Sequence, residues 1–220
     1  MVNFSQQHPH WKNIRLGTSW STIGGYGCLL CSVASYVADT GLGADGRRVD
    51  PGSLNRWLAR HGGYAGGNLF IFNSLAPLGV ELVDYVDCFN TPAPIDAIAE
   101  ALYADFGVVV EVDFAPGGGR NQHWVRILKH PDAETVAQQR AALDVDALIM
   151  DPWMPPGYER RWLMPAYALP IWDNPARAIF RVAIYAAVPS GEPLKARRGC
   201  DLLNTKPYKK RIVQENLNRA

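Results

Sequence analysis

The chain has 220 residues, of which 48% are hydrophobic, 20% charged and 10% aromatic, a composition that excludes a disordered, collagen-like or coiled-coil protein. No stretch approaches the roughly 18 consecutive apolar residues of a membrane span, and residues 1–15 lack the apolar core of a secretory signal, so a soluble chain with no visible export signal and no membrane span is expected. The formal charge of +1 is unevenly placed: residues 191–220 set eight Lys/Arg against three acidic residues, a net +5, which leaves −4 on residues 1–190. Nucleic acid is therefore not expected on the body, and only the tail is a candidate polyanion binder.

Residues 1–26 read as an irregular lead-in rich in Gly and Ser. From position 28 to 39, Leu29, Leu30, Val33, Ala34, Tyr36 and Val37 recur at helical spacing and Gly41 supplies a stop. Cys28 then lies at or inside the first turn. A second helix is predicted over 53–60, with Ser53 as N-cap and Leu54, Trp57 and Leu58 on one face, and a third over about 68–76. A strand over 80–86 and a helix over 95–103 follow, then strands over 108–114, 124–129, 147–150 and 178–188. Helices first and strands afterwards predict an α+β domain, with N-terminal helices packed on a mainly antiparallel sheet. That domain is expected over 1–189, followed by a basic C-terminal arm over 190–220.

Four cysteines, Cys28, Cys31, Cys88 and Cys200, are too few for a disulfide scaffold and read as reduced thiols. The unpaired amides at a helix N-terminus stabilise a thiolate, and Cys28 occupies such a position. Glycines at 24, 25 and 27 are expected to let a substrate backbone pass close to it. A nucleophilic cysteine also needs a base and a group that orients the base. His123 begins one predicted strand, after Gly117, Gly118 and Gly119, and Asp151 closes the next. If those strands are antiparallel neighbours, the two side chains meet at one end of the sheet.

Other readings of the same residues are weaker. Cys28 and Cys31 form a Cys-x-x-Cys, but a redox motif of that kind follows the strand of a βαβ unit, and the glycine-rich lead-in is not one. Zinc asks for four ligands in close pairs, whereas Cys88 and Cys200 are solitary. Cys31, between Leu30 and Ala34, reads as a buried apolar residue. No cofactor and no metal are expected. The run 117–119 lacks the strand–turn–helix setting of a phosphate loop and reads as a flexible rim. Trp57, Trp124 and Trp153 read as core or cleft wall, and His8, His10, His61 and His130 as solvated.

Several stretches in order then carry a resemblance. They are Gln6-Gln7-His8-Pro9-His10-Trp11, Leu16-Gly17, Ile23-Gly24-Gly25-Tyr26-Gly27-Cys28-Leu29-Leu30-Cys31-Ser32, Asp50-Pro51, Leu54-Asn55-Arg56-Trp57-Leu58, Gly62-Gly63-Tyr64, Gln122-His123-Trp124-Val125 and Ile149-Met150-Asp151-Pro152-Trp153. Together, over roughly residues 4–155, they resemble the papain-like cysteine peptidases of the double-glycine (bacteriocin-leader) peptidase type, and more closely their free-standing phage- and bacteria-associated relatives. The resemblance implies a papain-like fold, Cys28 as nucleophile, His123 as general base and acid, Asp151 as orienter and Gln6 as the side-chain donor to the oxyanion. The family usually has an acidic residue where His8 stands, which leaves Gln7 as a competitor of Gln6. The substrates implied are peptides: a leader cut after two glycines, or the cross-links of bacterial peptidoglycan. A free-standing chain without transporter segments favours the second, as a phage lysin or tail-associated peptidase, cytoplasmic or virion-associated. The alternative expectation is a structural or interaction subunit of a larger, virion-like assembly that retains the fold and reaches other subunits through the 190–220 arm. A Cys-His-Asp acyltransferase needs an acyl donor that nothing in the sequence identifies.

Overall fold

The computed structural model describes residues 1–119 and 121–188; the expected basic arm over 190–220, with Cys200, lies outside the described residues. In chain order the elements are α1 (Ile23–Tyr26), α2 (Cys28–Asp39), β1 (Gly43–Ala44), β2 (Arg47–Arg48), α3 (Pro51–Arg60), β3 (Tyr64–Ala65), β4 (Leu69–Phe70), β5 (Val80–Asp87), α4 (Ile95–Tyr103), β6 (Gly107–Asp113), β7 (Gln122–Ile127), α5 (Val136–Val145), β8 (Leu148–Met150), β9 (Arg160–Trp162), α6 (Pro175–Ala178) and β10 (Arg181–Ala187). A 3₁₀ turn at Ala76–Leu78 and a π-helical turn at Met164–Ala168 complete the set. The fold is α+β with an antiparallel main sheet. No helix among the described residues is long and apolar enough to cross a membrane.

The main sheet has the order β5, β10, β6, β7, β8, β9, and every neighbouring pair is antiparallel. Side chains alternate across a strand, and the valines of β6 show the result. Val108, Val110 and Val112 join Val125, Ile127 and Ile149 in one core cluster, together with Ile98, Ala99 and Leu102 of α4 and Leu143 of α5. Val109, with Trp124, Ala183 and Tyr185, faces a second cluster built from Leu30, Val33 and Val37 of α2 and Leu54 and Leu58 of α3. Both faces are therefore covered, and each fully buried Leu, Ile or Val contributes about 1.5–3 kcal/mol of transfer free energy.

Some predicted elements differ from the structure. No helix forms over 68–76; the β3–β4 hairpin, turned by Gly66 and Gly67 at φ +54° and +93°, takes its place. Phe70 and Phe72 stand two residues apart, the strand period, and their rings lie 6.0 Å apart at the head of an aromatic chain that continues to Tyr85 and Trp124. The helix predicted from Ser53 begins at Pro51, because Asp50 and not Ser53 is the N-cap. The Asp50 carboxylate accepts from the Ser53 amide at 2.8 Å, and the Ser53 hydroxyl accepts from the Asp50 amide at 2.9 Å, a reciprocal capping box. The lead-in is not wholly irregular, since α1 forms within it behind a Thr22 cap. The strand expected over 178–188 starts at Arg181, because Asn174 caps the α6 turn that takes up Ala178. Helix α5 goes unforeseen: only Gln139 and Leu143 of its residues are buried, so it carries little apolar periodicity.

Candidate active site

Gly27 is at once the C-cap of α1 and the N-cap of α2, so Cys28 opens α2 directly from the end of α1. A Cβ at Gly27 would lie 2.5 Å from the Ile23 carbonyl oxygen, so only glycine permits this join. No side chain caps α2, and its first amides are left open to an anion. Cys28 is half-buried there. The glycines ahead of it serve different ends from the one expected. Gly24 and Gly27 are fixed by packing on Lys12 and Ile23, and only Gly25, exposed and met by nothing closer than the Thr22 hydroxyl at 3.5 Å, leaves room for another backbone.

Helix α2 lies along β7. The Ser32 hydroxyl donates to the Trp124 carbonyl at 3.1 Å, and the Arg126 guanidinium donates to the Ser35 hydroxyl at 3.0 Å and to the Asp39 carboxylate at 2.6 Å. One turn before Ser32, Cys28 comes level with the start of β7, where His123 stands. The β7–β8 ladder stops at Arg126 opposite Met150. One further step of that register sets Asp151 opposite Val125, two residues from His123 and on the same face of the sheet. His123 Nε2 and Asp151 Oδ1 are 2.9 Å apart, both residues buried. Cys28 lies close enough to act on the ring electrostatically, and with Nε2 taken by Asp151 it is Nδ1 that is left for the sulfur. Phe114 meets the imidazole edge-on at 5.3 Å, and Tyr167 packs at 5.2 Å.

The Asp151 carboxylate is fully buried and saturated. Besides His123 it accepts from the Trp153 amide at 3.0 Å, the Tyr167 hydroxyl at 2.5 Å and the Arg161 guanidinium at 3.3 Å. Burial by itself raises a carboxyl, but the hydrogen bond and charge of His123, then Tyr167 and Trp153, hold Asp151 below the usual range. Burial likewise disfavours a charged ring. The hydrogen bond to Asp151 and the influence of the Cys28 thiol outweigh it and push His123 up to about 9. Burial and the Asp151 charge drive the Tyr167 hydroxyl upward, which keeps it a donor.

Gln6 and Gln7 reach the same neighbourhood. The backbone amide of Gln6 donates to the Pro152 carbonyl at 2.7 Å, the Ser5 hydroxyl to the Met154 carbonyl at 2.5 Å, and the Trp11 indole to the Ser5 carbonyl at 2.7 Å. The lead-in thus straps the loop after Asp151 to the segment before Cys28. Both side-chain amides, Gln6 at 2.7 Å and Gln7 at 2.8 Å, donate to the carbonyl of Gly24. Each amide nitrogen keeps a second hydrogen, so this geometry leaves both residues able to donate further. Gln6 is buried, its Oε1 without a partner, and Gln7 is half-buried.

The remaining candidates divide clearly. Trp57 and Trp124 are core residues, and Trp153 is 41% exposed beside the site with its ring 5.0 Å from Phe114. Cys88 belongs to the α4 cluster, where burial and nearby carboxylates push it up to about 11. Among the described residues no three His, Cys, Asp or Glu side chains group as a metal site. Arg161 and Tyr167 went unnoticed in the sequence. One lies on a three-residue strand and the other in an irregular π turn, neither of which has a periodic signal. A thiol, an imidazole and a buried carboxylate in series can move a proton from sulfur to the ring, hold it there, and return it to a departing group. No protein-family model matches the chain, and no match to it was found among curated proteins.

Proposed function

We propose that the chain is a papain-like cysteine peptidase that hydrolyses peptide bonds through an acyl-enzyme on Cys28. The observation that carries this reading is the His123 ring, held by Asp151 at 2.9 Å and within electrostatic reach of Cys28, which opens a helix that no side chain caps. The Cys28 thiolate attacks the peptide carbonyl, and the protonated His123 ring gives its proton to the leaving amine. Water, activated by the same ring, then clears the acyl group. The Cys28 amide and the free amide hydrogen of Gln6, or of Gln7, hold the oxyanion; loss of such a donor lowers kcat by about 10²–10³. Gln6→Ala and Gln7→Ala, compared singly, assign the donor.

Peptidoglycan cross-link peptides are the proposed substrate class, as for a phage lysin or tail-associated enzyme, on the strength of the resemblance over residues 4–155. Turnover of purified peptidoglycan, followed as released amines, tests the reading together with the alkylation rate of each cysteine at neutral pH. Hydrolysis that vanishes in Cys28→Ala and His123→Ala, with Cys28 alkylated far faster than Cys31 and Cys88, supports it. Equal alkylation rates and no hydrolysis of any peptide would overturn it.

A further inference from the structure

Cys31 takes no part in that chemistry, yet it lies one helical turn beyond Cys28, fully buried, in the core cluster against which Cys28 packs. Burial pushes the Cys31 thiol well up, and the nearby charge of Cys28 adds to it. The two sulfurs are thus within electrostatic reach, one half-exposed at the helix start and the other protonated behind it. Residues three apart on a helix hold their Cβ atoms about 5–6 Å apart and a disulfide takes about 3.5–4.5 Å, so closure asks for a shift of roughly 1–2 Å in the first turn. That turn is the end of a helix, where no side-chain cap resists the movement. Cys88 lies in the other cluster and is not placed to intercept.

We propose that Cys28 and Cys31 form a reversible disulfide when the protein meets a hydroperoxide, a redox switch that withdraws the nucleophile and spares it from irreversible oxidation. The proposal rests on the reading of Cys28 as a reactive thiolate. In the first step the Cys28 sulfur attacks one peroxide oxygen. An S–O bond forms, the O–O bond breaks, and hydroxide leaves, taking a proton from the His123 ring or solvent. In the second, the Cys31 sulfur attacks the sulfenic sulfur; the S–S bond forms, the S–O bond breaks, and the Cys31 proton departs with the hydroxyl as water. The sulfur pair loses two electrons, which the peroxide accepts. A dithiol reverses the change by exchange at the disulfide.

The test treats the full chain with hydrogen peroxide, blocks free thiols under denaturing conditions and maps cysteine peptides by mass spectrometry. A Cys28–Cys31 cross-link, lighter by the two thiol hydrogens, is expected, with peptidoglycan hydrolysis lost in parallel and both restored by dithiothreitol. In Cys31→Ala, or Cys31→Ser should the alanine variant not fold, peroxide carries Cys28 to the sulfinic acid and dithiothreitol restores nothing. Wild-type protein that hydrolyses peptide normally beforehand but yields sulfinic Cys28 and no cross-link overturns the switch and leaves the peptidase reading intact. A cross-link in a chain that never hydrolyses peptide sustains the thiol pair and overturns the peptidase reading.

Discussion

The two ends of the α2–β7 contact are built from the same materials and behave differently. At one end Arg126 enters the space beside the C-terminal turn of α2 and closes on Asp39 and Ser35 at 2.6 and 3.0 Å, a cation where the helix dipole favours one. At the other end no side chain caps the helix start, and a half-buried thiol lies within electrostatic reach of an imidazole backed by a buried carboxylate. The Arg126 end is spent on joining helix to sheet. At the Cys28 end the His123–Asp151 pair is joined, while no side chain caps the first turn of the helix.

Substitutions separate the two ends by what they change. The largest expected effect is at the open end: Cys28→Ala and His123→Ala each lower kcat/KM for peptide hydrolysis by about 10³-fold or more, with the urea midpoint nearly unmoved for Cys28→Ala. Asp151→Asn follows, with a fall in kcat on the order of 10³–10⁴ and a change of pH profile. His123 is raised to about 9, so the alkaline limb of kcat/KM belongs near that value and shifts to lower pH in Asp151→Asn. At the closed end Arg126→Met costs about 1–3 kcal/mol of unfolding free energy, because Asp39 and Ser35 lose the guanidinium they share, and Asp39 keeps only the Val2 amide and the N-terminal amine. Equal loss of activity and stability in that variant would erase the distinction between the two ends.

Smaller effects probe the support of Asp151. Tyr167→Phe removes one of its donors, and about 1 kcal/mol of stability is expected to go with it; since that hydrogen bond helps hold Asp151 down, the acid loss of stability is expected to begin at a higher pH. The pH dependence of wild-type stability has a definite sign. The folded value of His123 lies above its ordinary one near 6.5, so its contribution is full below that ordinary value and is lost as pH rises through about 9. Asp151 is depressed, so its share is present above the ordinary carboxylate range and is lost as pH falls through the folded value. Urea midpoints measured across both windows check the signs, and Asp151→Asn is expected to flatten both slopes.

Much of this was legible in the sequence wherever local chemistry and tertiary demand agreed. The α2 stripe of Leu30, Val33 and Val37 is a helix by spacing and is buried as one. The predicted helix over 95–103 matches α4, whose Ile95, Ile98 and Leu102 all turn inward. Placing His123 and Asp151 at ends of successive strands required only that those strands pair antiparallel, which β7 and β8 do. What escaped notice depends on long-range contact. The hairpin at 64–70 is decided by two glycines of positive φ and by aromatic rings that pack on Trp124 and Tyr85. The bonds of Arg161 and Tyr167 to Asp151 span 10 and 16 residues through irregular backbone, and no periodicity announces them. The strapping of Ser5 and Gln6 to the 152–154 loop is of the same kind.

The position of β10 has a consequence for how the protein is made. This strand fills the slot between β5 and β6 and pairs with both, so a nascent chain interrupted before Arg181 carries two valine-rich ribbons with bare amide edges and nothing to join them. Such edges invite intermolecular pairing. A ribosome-stalled or prematurely stopped product is therefore expected to be sticky and inert. The sheet is expected to close only when the segment up to Ala187 clears the exit tunnel and slides into the gap, the last step in completing it.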